Sequence, residues 1–180
     1  MPSNNLYIIS GGPGSGKTAL LQALSNHGLT CMPEAGRSII QDQLAIGGTA
    51  LPWQNPPAFA ELMLCWDMRS YREAQLMQGP ILFDRGIPDV MGYLLLNKLP
   101  VPPHIEKAAH SFRYNQLVFL APPWPEIYTQ DTERKQSLQE AIATFHAMSE
   151  LYAKLGYEII LLPLVTVAER VQFVLNKISS

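Results

Sequence analysis

At 180 residues, of which 47% are hydrophobic and 16% charged, the chain is long enough for one domain with a real core and is not expected to hold two. A formal net charge of -2 supplies no footprint for DNA or RNA as an obligate partner. The two cysteines, Cys31 and Cys65, form no CxxC and no metal-ligand spacing with the four histidines, so both read as small buried hydrophobes and the histidines as structural.

The opening Met1-Pro2-Ser3-Asn4-Asn5 matches neither a signal peptide nor a myristoylation site. The longest apolar run, Ile159 to Leu162, is broken by Pro163 and far too short to span a bilayer. The expectation is a cytoplasmic protein with no membrane partner.

Strands and helices alternate along the chain. A strand over Leu6–Ser10 feeds a glycine-rich loop and a helix over Lys17–Asn26. A short strand over Thr30–Pro33 ends at Glu34, and a helix over Gly36–Ala45 follows. Asn55 before Pro56 reads as an N-cap with proline in the first turn. The long helix behind it carries Phe59, Met63, Trp66 and Met77 as a core stripe, and Gly79-Pro80 ends it. Pro80–Phe83 is the third strand, running into Asp84-Arg85-Gly86. Helices over Pro88–Asn97 and Pro103–His110, a strand over Gln116–Leu120 and an irregular, charged connection over Ala121–Lys135 come next. Ser137-Leu138-Gln139-Glu140 is a capping box. It opens a helix with Leu138, Ile142, Phe145, Met148, Tyr152 and Leu155 along one face. The fifth strand is Glu158–Leu162, and a second box, Thr166 to Glu169, opens the last helix. This order predicts an α/β fold with a mostly parallel sheet and helices on both faces, in one unit over 1–180.

The segment Gly11-Gly12-Pro13-Gly14-Ser15-Gly16-Lys17-Thr18 fits the phosphate-loop pattern G-x-x-x-x-G-K-[ST] between a strand and a helix. That setting aims backbone N–H groups and the positive helix end at one anion site. Pro13 has no N–H, so the donors are expected from Gly14 to Thr18. The candidate nucleotide-binding set is Gly11, Gly12, Pro13, Gly14, Ser15, Gly16, Lys17, Thr18 and Ala19. Lys17 is expected on the β- and γ-phosphates of ATP, and the Thr18 hydroxyl on Mg²⁺.

Ligands of open α/β sheets lie beyond the carboxyl ends of the strands, and three strand ends carry useful groups. Asp84 stands where a carboxylate organises Mg²⁺ or accepts a proton; the alternative is an N-cap for the next helix. Arg85 follows it where hydrolytic motors usually carry a second carboxylate, which favours phosphoryl transfer or an anionic substrate. Glu34 is a candidate to orient or deprotonate an acceptor hydroxyl, with Arg37 one turn on as an anion binder. The alternative for Glu34 is an acid favoured by the helix dipole, which is the whole expectation for Asp89. Arg69 and Arg72 are expected on a solvated helix face. Arg134 and Lys135 lie in the connection after the fourth strand, either as a lid over the triphosphate across about 122–136 or as a charged surface loop.

Gly11–Thr18, Glu34-Ala35-Gly36-Arg37, Phe83-Asp84-Arg85-Gly86-Ile87-Pro88-Asp89 with Tyr93, then Arg134 and Glu169-Arg170-Val171 resemble the NadR-like AAA-type ATPase domain family. These are small P-loop proteins grouped with nicotinamide riboside kinase and, more distantly, with nucleoside and nucleotide kinases. The resemblance covers nearly the whole chain. It implies a three-layer P-loop NTPase fold with a five-stranded parallel sheet of order 2-3-1-4-5. It also implies Mg²⁺-dependent triphosphate binding and a lid arginine, with Arg134 in that place. Lys17 and Thr18 match the phosphate and metal ligands, Asp84 the acid after strand three, Glu34 the acid after strand two, and 163–166 the neighbourhood of the base.

The leading functional expectation is a small-molecule kinase with a nucleoside-like or other metabolite held between Glu34, Arg37 and Asp84-Arg85. The alternative is a triphosphate-binding switch or slow NTPase acting through a protein partner. Neither Asn97-Lys98-Leu99-Pro100 nor Asn176-Lys177-Ile178-Ser179 has the aspartate of a guanine-selective Asn-Lys-x-Asp, which disfavours a Ras-like GTPase but not GTP as a ligand. A nucleic-acid end kinase lacks its basic track.

Overall fold

The computed structural model describes residues 5–127 and 138–179. Five apolar runs form the strands β1 (Leu6–Gly11), β2 (Thr30–Met32), β3 (Ile81–Asp84), β4 (Leu117–Ala121) and β5 (Glu158–Leu161). They pair in parallel in the order β2-β3-β1-β4-β5. All five therefore end at one edge of the sheet, and β1 lies in its centre. Register brings Ile9 opposite both Asp84 and Phe119, and Gly11 opposite Ala121. The loop after β1 thus opens between the ends of β3 and β4.

Alternation along the strands builds a core on each face. Leu6, Ile8, Ile81, Phe83, Val118 and Leu120 face one way and pack on α4 (Ile87–Leu96) and α6 (Leu138–Lys154). Tyr7, Ile9, Leu82 and Phe119 face the other, against α1 (Lys17–Asn26) and α7 (Val167–Ile178). The remaining helices, α2 (Ala35–Ile46), α3 (Pro56–Ala74) and α5 (Pro103–Ser111), complete the described elements with one 3₁₀ turn at Pro125–Ile127. Gly11 has φ +136, and a Cβ there would stand 2.5 Å from the Ala121 carbonyl oxygen. Only glycine lets β1 end so close to β4.

Expected and observed elements differ mainly at their ends. Asp84 belongs to β3, while Pro80, with no N–H for the ladder, stays outside it. Helix α3 stops at Ala74, because the chain must turn before Gly79 to reach β3; Leu76 and Met77 are consequently exposed rather than part of the core stripe. In α6 the buried face is Ala141, Thr144, Met148, Leu151 and Tyr152; of the expected stripe Met148, Tyr152 and, just past the helix end, Leu155 are buried, Phe145 packs on the core and Ile142 is exposed. The face is rotated from the expected stripe because the helix passes close to the loop after β1. A Cβ on Gly12 would lie 2.7 Å from the Ala141 carbonyl oxygen, so a small residue sits at that crossing. Cys31 is half-buried and Cys65 exposed, not the buried pair expected. Among the described residues no helix is long and apolar enough to cross a membrane.

Candidate functional site

The loop after β1 is shaped by left-handed glycines, Gly14 at φ 68 and Gly16 at φ 79. Gly16 takes the N-cap position of α1 without a side-chain cap. The N–H groups of that first turn therefore remain available to an anion. Ser15 Oγ donates to the Gly12 carbonyl at 2.8 Å. The Lys17 ammonium, 7% exposed, donates to the carbonyls of Gly11 (3.1 Å) and Gly12 (2.9 Å). Pro13 through Ala19 line a cavity of about 740 Å³, together with Glu34, Arg37 and Asp84. Gly11 and Gly12 do not line it; they carry the carbonyls that hold Lys17.

The ends of β2 and β3 supply the acids. Gly86 is the N-cap of α4, so Asp84 is not consumed as a cap. Its Oδ1 is buried and has no hydrogen-bond partner among the described residues. Burial pushes the Asp84 carboxyl up and Lys17 pulls it down, while Glu34 adds to the rise; the net is upward. A buried carboxylate oxygen without a partner, sharing a cavity with the Thr18 hydroxyl, is the donor set a Mg²⁺ ion accepts. Glu34 sits at the N-cap of α2, yet its side chain makes no capping hydrogen bond. It stands 3.4 Å from Arg85 Nε instead.

Arg85 is held in a left-handed backbone conformation, φ 69, which few non-glycine residues adopt. Its N–H donates to the Ile9 carbonyl at 3.0 Å. Burial would push the guanidinium down, but Glu34, Asp89 and Asp84 push it up further, and it stays charged.

Two acids have a larger place here than the sequence assigns them. Asp89 is buried and accepts from Ser10 Oγ (2.5 Å), the Tyr152 hydroxyl (2.5 Å) and the Gly86 N–H (2.9 Å), with Arg85 Nη1 at 3.6 Å. The helix-start rationale for Asp89 holds for its bond to the Gly86 N–H but is not sufficient: Ser10 on β1 and Tyr152 on α6, both far away in sequence, also donate to it. Asp67 escaped the sequence reading altogether. It follows Phe59 and Met63 at successive intervals of four on α3, so it lies on that helix's apolar face. An acid inside an apolar stripe was the available signal. With Glu34, Arg85, Asp89, Phe59 and Tyr93 it lines a second cavity of about 330 Å³. Burial, then Asp89 and Glu34, push its carboxyl well above the ordinary range. Pro13 and Glu34 line both cavities.

Arg170, 1% exposed, reaches the loop from α7. Its Nη1 donates to the Ser15 carbonyl (2.8 Å) and its Nε to that of Pro163 (2.7 Å), and its guanidinium lies 4.5 Å from the Trp124 ring centre. Arg134, Lys135 and most of the expected lid lie outside the described residues. Arg69 is exposed and paired with Glu73, and Arg72 is exposed as expected. His104 meets Glu61 at 2.8 Å, a partner 43 residues away.

The loop, the sheet order and the acids at the strand ends define a phosphate-loop nucleotide-binding fold. A family model described as an AAA domain matches residues 6–170, and the chain belongs to that family. Several solved structures share the fold. A deoxyadenosine kinase from M. mycoides, with dCMP and dCDP bound, superposes with a TM-score of 0.70 at 13% identity, covering 97% of this chain and 98% of that one. The NadR protein in complex with NR gives 0.68 at 16% identity, covering 98% of this chain and 51% of that one. A thymidylate kinase from Ehrlichia chaffeensis gives 0.63 at 11% identity, covering 99% and 100%. No curated protein matches the sequence.

Two predictions follow from the acids. Asp89→Ala leaves Ser10, Tyr152 and Gly86 without their acceptor and Arg85 without one of its two paired carboxylates. It should cost about 3–5 kcal/mol, read as a lower urea midpoint; a loss under about 0.5 kcal/mol, as for a surface site, would remove the network from the fold's support. For Asp67, the folded chain keeps a proton that the unfolded chain has released, so its burial lowers stability as pH rises through and beyond the ordinary carboxylate range. Asp67→Asn should melt near wild type in acid and increasingly above it towards neutral pH, by differential scanning calorimetry.

Proposed function

We propose that the chain is an ATP-dependent small-molecule kinase, with Mg²⁺-ATP on the phosphate loop and the acceptor in the adjoining cavity. The observation that carries this reading is the junction between the two cavities. Glu34 borders both, Asp84 faces the nucleotide side and Arg85 the acceptor side. A hydroxyl held at Glu34 therefore stands beside the place where the γ-phosphate would end. The shared fold with a deoxyadenosine kinase and a thymidylate kinase supports the same class.

In the proposed reaction the acceptor oxygen forms a bond to the γ-phosphorus while the bond to the β–γ bridging oxygen breaks, giving a phosphate ester and ADP. Glu34 takes the hydroxyl proton. Lys17 leaves the Gly11 and Gly12 carbonyls for the phosphates, and Arg85 offsets charge on the transferring group from the acceptor side. Arg37, which lines the nucleotide cavity, is the second candidate for that charge. Thr18 and Asp84 would hold Mg²⁺, which neutralises charge between the β- and γ-phosphates. With most of the chemistry in positioning, loss of one preorganised group lowers the rate by about 10²–10³.

The test is ADP release from Mg²⁺-ATP, alone and with pools of nucleosides, nucleotides and other hydroxylated metabolites. One pool should raise the rate at least about tenfold, equivalent to roughly 1.4 kcal/mol in the barrier, and Lys17→Ala and Asp84→Asn should each abolish the increase while remaining folded. A slow rate indifferent to every pool would replace the kinase with the nucleotide-dependent switch.

A further inference from the structure

Arg170 has no part in the phosphoryl-transfer chemistry, yet it lies directly behind the loop proposed to carry the triphosphate. The capping box of Thr166 and Glu169 starts α7 one residue ahead of it. Glu169 is spent in that box, accepting from the Thr166 N–H (3.0 Å) and hydroxyl (2.6 Å). Arg170 turns inward without it. The side chain is 1% exposed, and no carboxylate among the described residues pairs with it. Its partners are all neutral, the carbonyls of Ser15 and Pro163 and the ring of Trp124. Its Nη2 is buried with no partner at all among the described residues.

A guanidinium does not give up its proton in a protein, so Arg170 is a full positive charge out of water with no counter-charge. Burial pushes its pKa down, which is the sign of that cost. A buried charge of this kind is costly until an opposite charge arrives nearby. The backbone shows where that charge would sit. A trans peptide points its C=O and its N–H in opposite directions. Nη1 holds the Ser15 carbonyl at 2.8 Å, so the N–H of the same peptide, that of Gly16, points away from Arg170. Gly16 lines the nucleotide cavity. A charged donor on the carbonyl oxygen also polarises the peptide and makes its N–H a stronger donor.

Resting on the nucleotide half of the kinase reading, and on nothing about the acceptor, we propose that Arg170 is a positioning residue for the triphosphate. Its charge, applied through the Ser15–Gly16 peptide, aims and strengthens the Gly16 N–H as a phosphate donor, and the phosphates supply the missing counter-charge. Trp124 covers the guanidinium face, which keeps water from screening that charge. Arg170 itself touches no ligand. The effect belongs to the phosphates and not to the base, so ATP and inorganic tripolyphosphate feel it alike.

The test is titration calorimetry of the full chain with ATP and with inorganic tripolyphosphate, each with Mg²⁺. Arg170→Gln, which keeps a donor and removes the charge, should weaken both ligands by the same factor, at least about tenfold (roughly 1.4 kcal/mol). Arg170→Lys, which restores the charge, should return both to within about threefold of the unsubstituted chain. A merely structural arginine would lower the urea midpoint in both variants and leave the two affinities alone, and that result overturns the proposal. So does a loss confined to ATP, which would put Arg170 on the base, or a Lys variant as weak as the Gln variant. Should Arg170→Gln not unfold cooperatively, Trp124→Leu replaces it. Uncovering the guanidinium should then weaken both ligands by about threefold, and unchanged affinities overturn the proposal equally. An unsubstituted chain that binds neither ligand removes the nucleotide reading along with this one; one that binds ATP but not tripolyphosphate removes only this one.

Discussion

One buried carboxylate, that of Asp89, connects the parts of this fold that the site depends on. It accepts from Ser10 at the end of β1, from Tyr152 in the middle of α6 and from the Gly86 N–H at the start of α4. It also faces the guanidinium of Arg85. Burying an acid with three donors and a cation is a different matter from burying it alone: each lone pair lost to water is replaced. The result fixes the three elements that surround the phosphate loop relative to one another. The same contact helps explain how Arg85 persists at a positive φ. A left-handed arginine costs on the order of 1–3 kcal/mol, and two carboxylates with a backbone hydrogen bond to Ile9 over-determine its position.

The consequence is a division of charge across the end of the sheet. On one side lie the phosphate loop, the helix α1 N-terminus and Lys17, all positive in character, with Asp84 as the acid facing them. On the other lie Glu34, Asp67 and Asp89 with Arg85 among them. In the proposed reaction a polyanion enters the first region and an acceptor the second, and the two meet where Glu34 borders both. Register places Asp84 opposite Ile9, and the next residue turns sharply enough to send Arg85 to the far side of the strand end.

Legibility from sequence follows the range of the interaction. The phosphate loop is written in eight consecutive residues whose glycines, lysine and threonine have local reasons to be there, and the structure puts them on a strand–loop–helix as read. The alternation of strands and helices was equally local, and the sheet order agrees with the family resemblance. Asp84, Arg85 and Glu34 were readable because strand ends are a general address for ligands. Asp89 was visible but undervalued: its neighbours in sequence explain a helix-start acid, and only the approach of β1 and α6 makes it a hub. Asp67 went unread because an acid in the middle of a helix is ordinarily a solvated residue, although its spacing of four from Met63 and eight from Phe59 puts it on the apolar face. The rotated face of α6 has a long-range origin. Its position is set by the crossing of Ala141 with Gly12, a contact between residues 129 positions apart.

Arg170 carries this reasoning one step further, since it ties the geometry of the loop to the opposite face of the sheet. Its buried guanidinium joins the carbonyls of Ser15 and Pro163 and stacks on Trp124. Those three residues belong to the phosphate loop, the segment after β5 and the segment after β4. A carbonyl held by a charged donor fixes the peptide plane that contains it. The next residue in that plane is Gly16, whose N–H belongs to the loop and whose left-handed φ begins α1. A Cβ on Gly16 would stand 3.1 Å from the same Nη1, so the arginine also accounts for why that position is glycine. Asp89 on one face of the sheet and Arg170 on the other thus hold the strand end and its loop from both sides. The loop is preorganised by contacts that lie outside its own sequence motif.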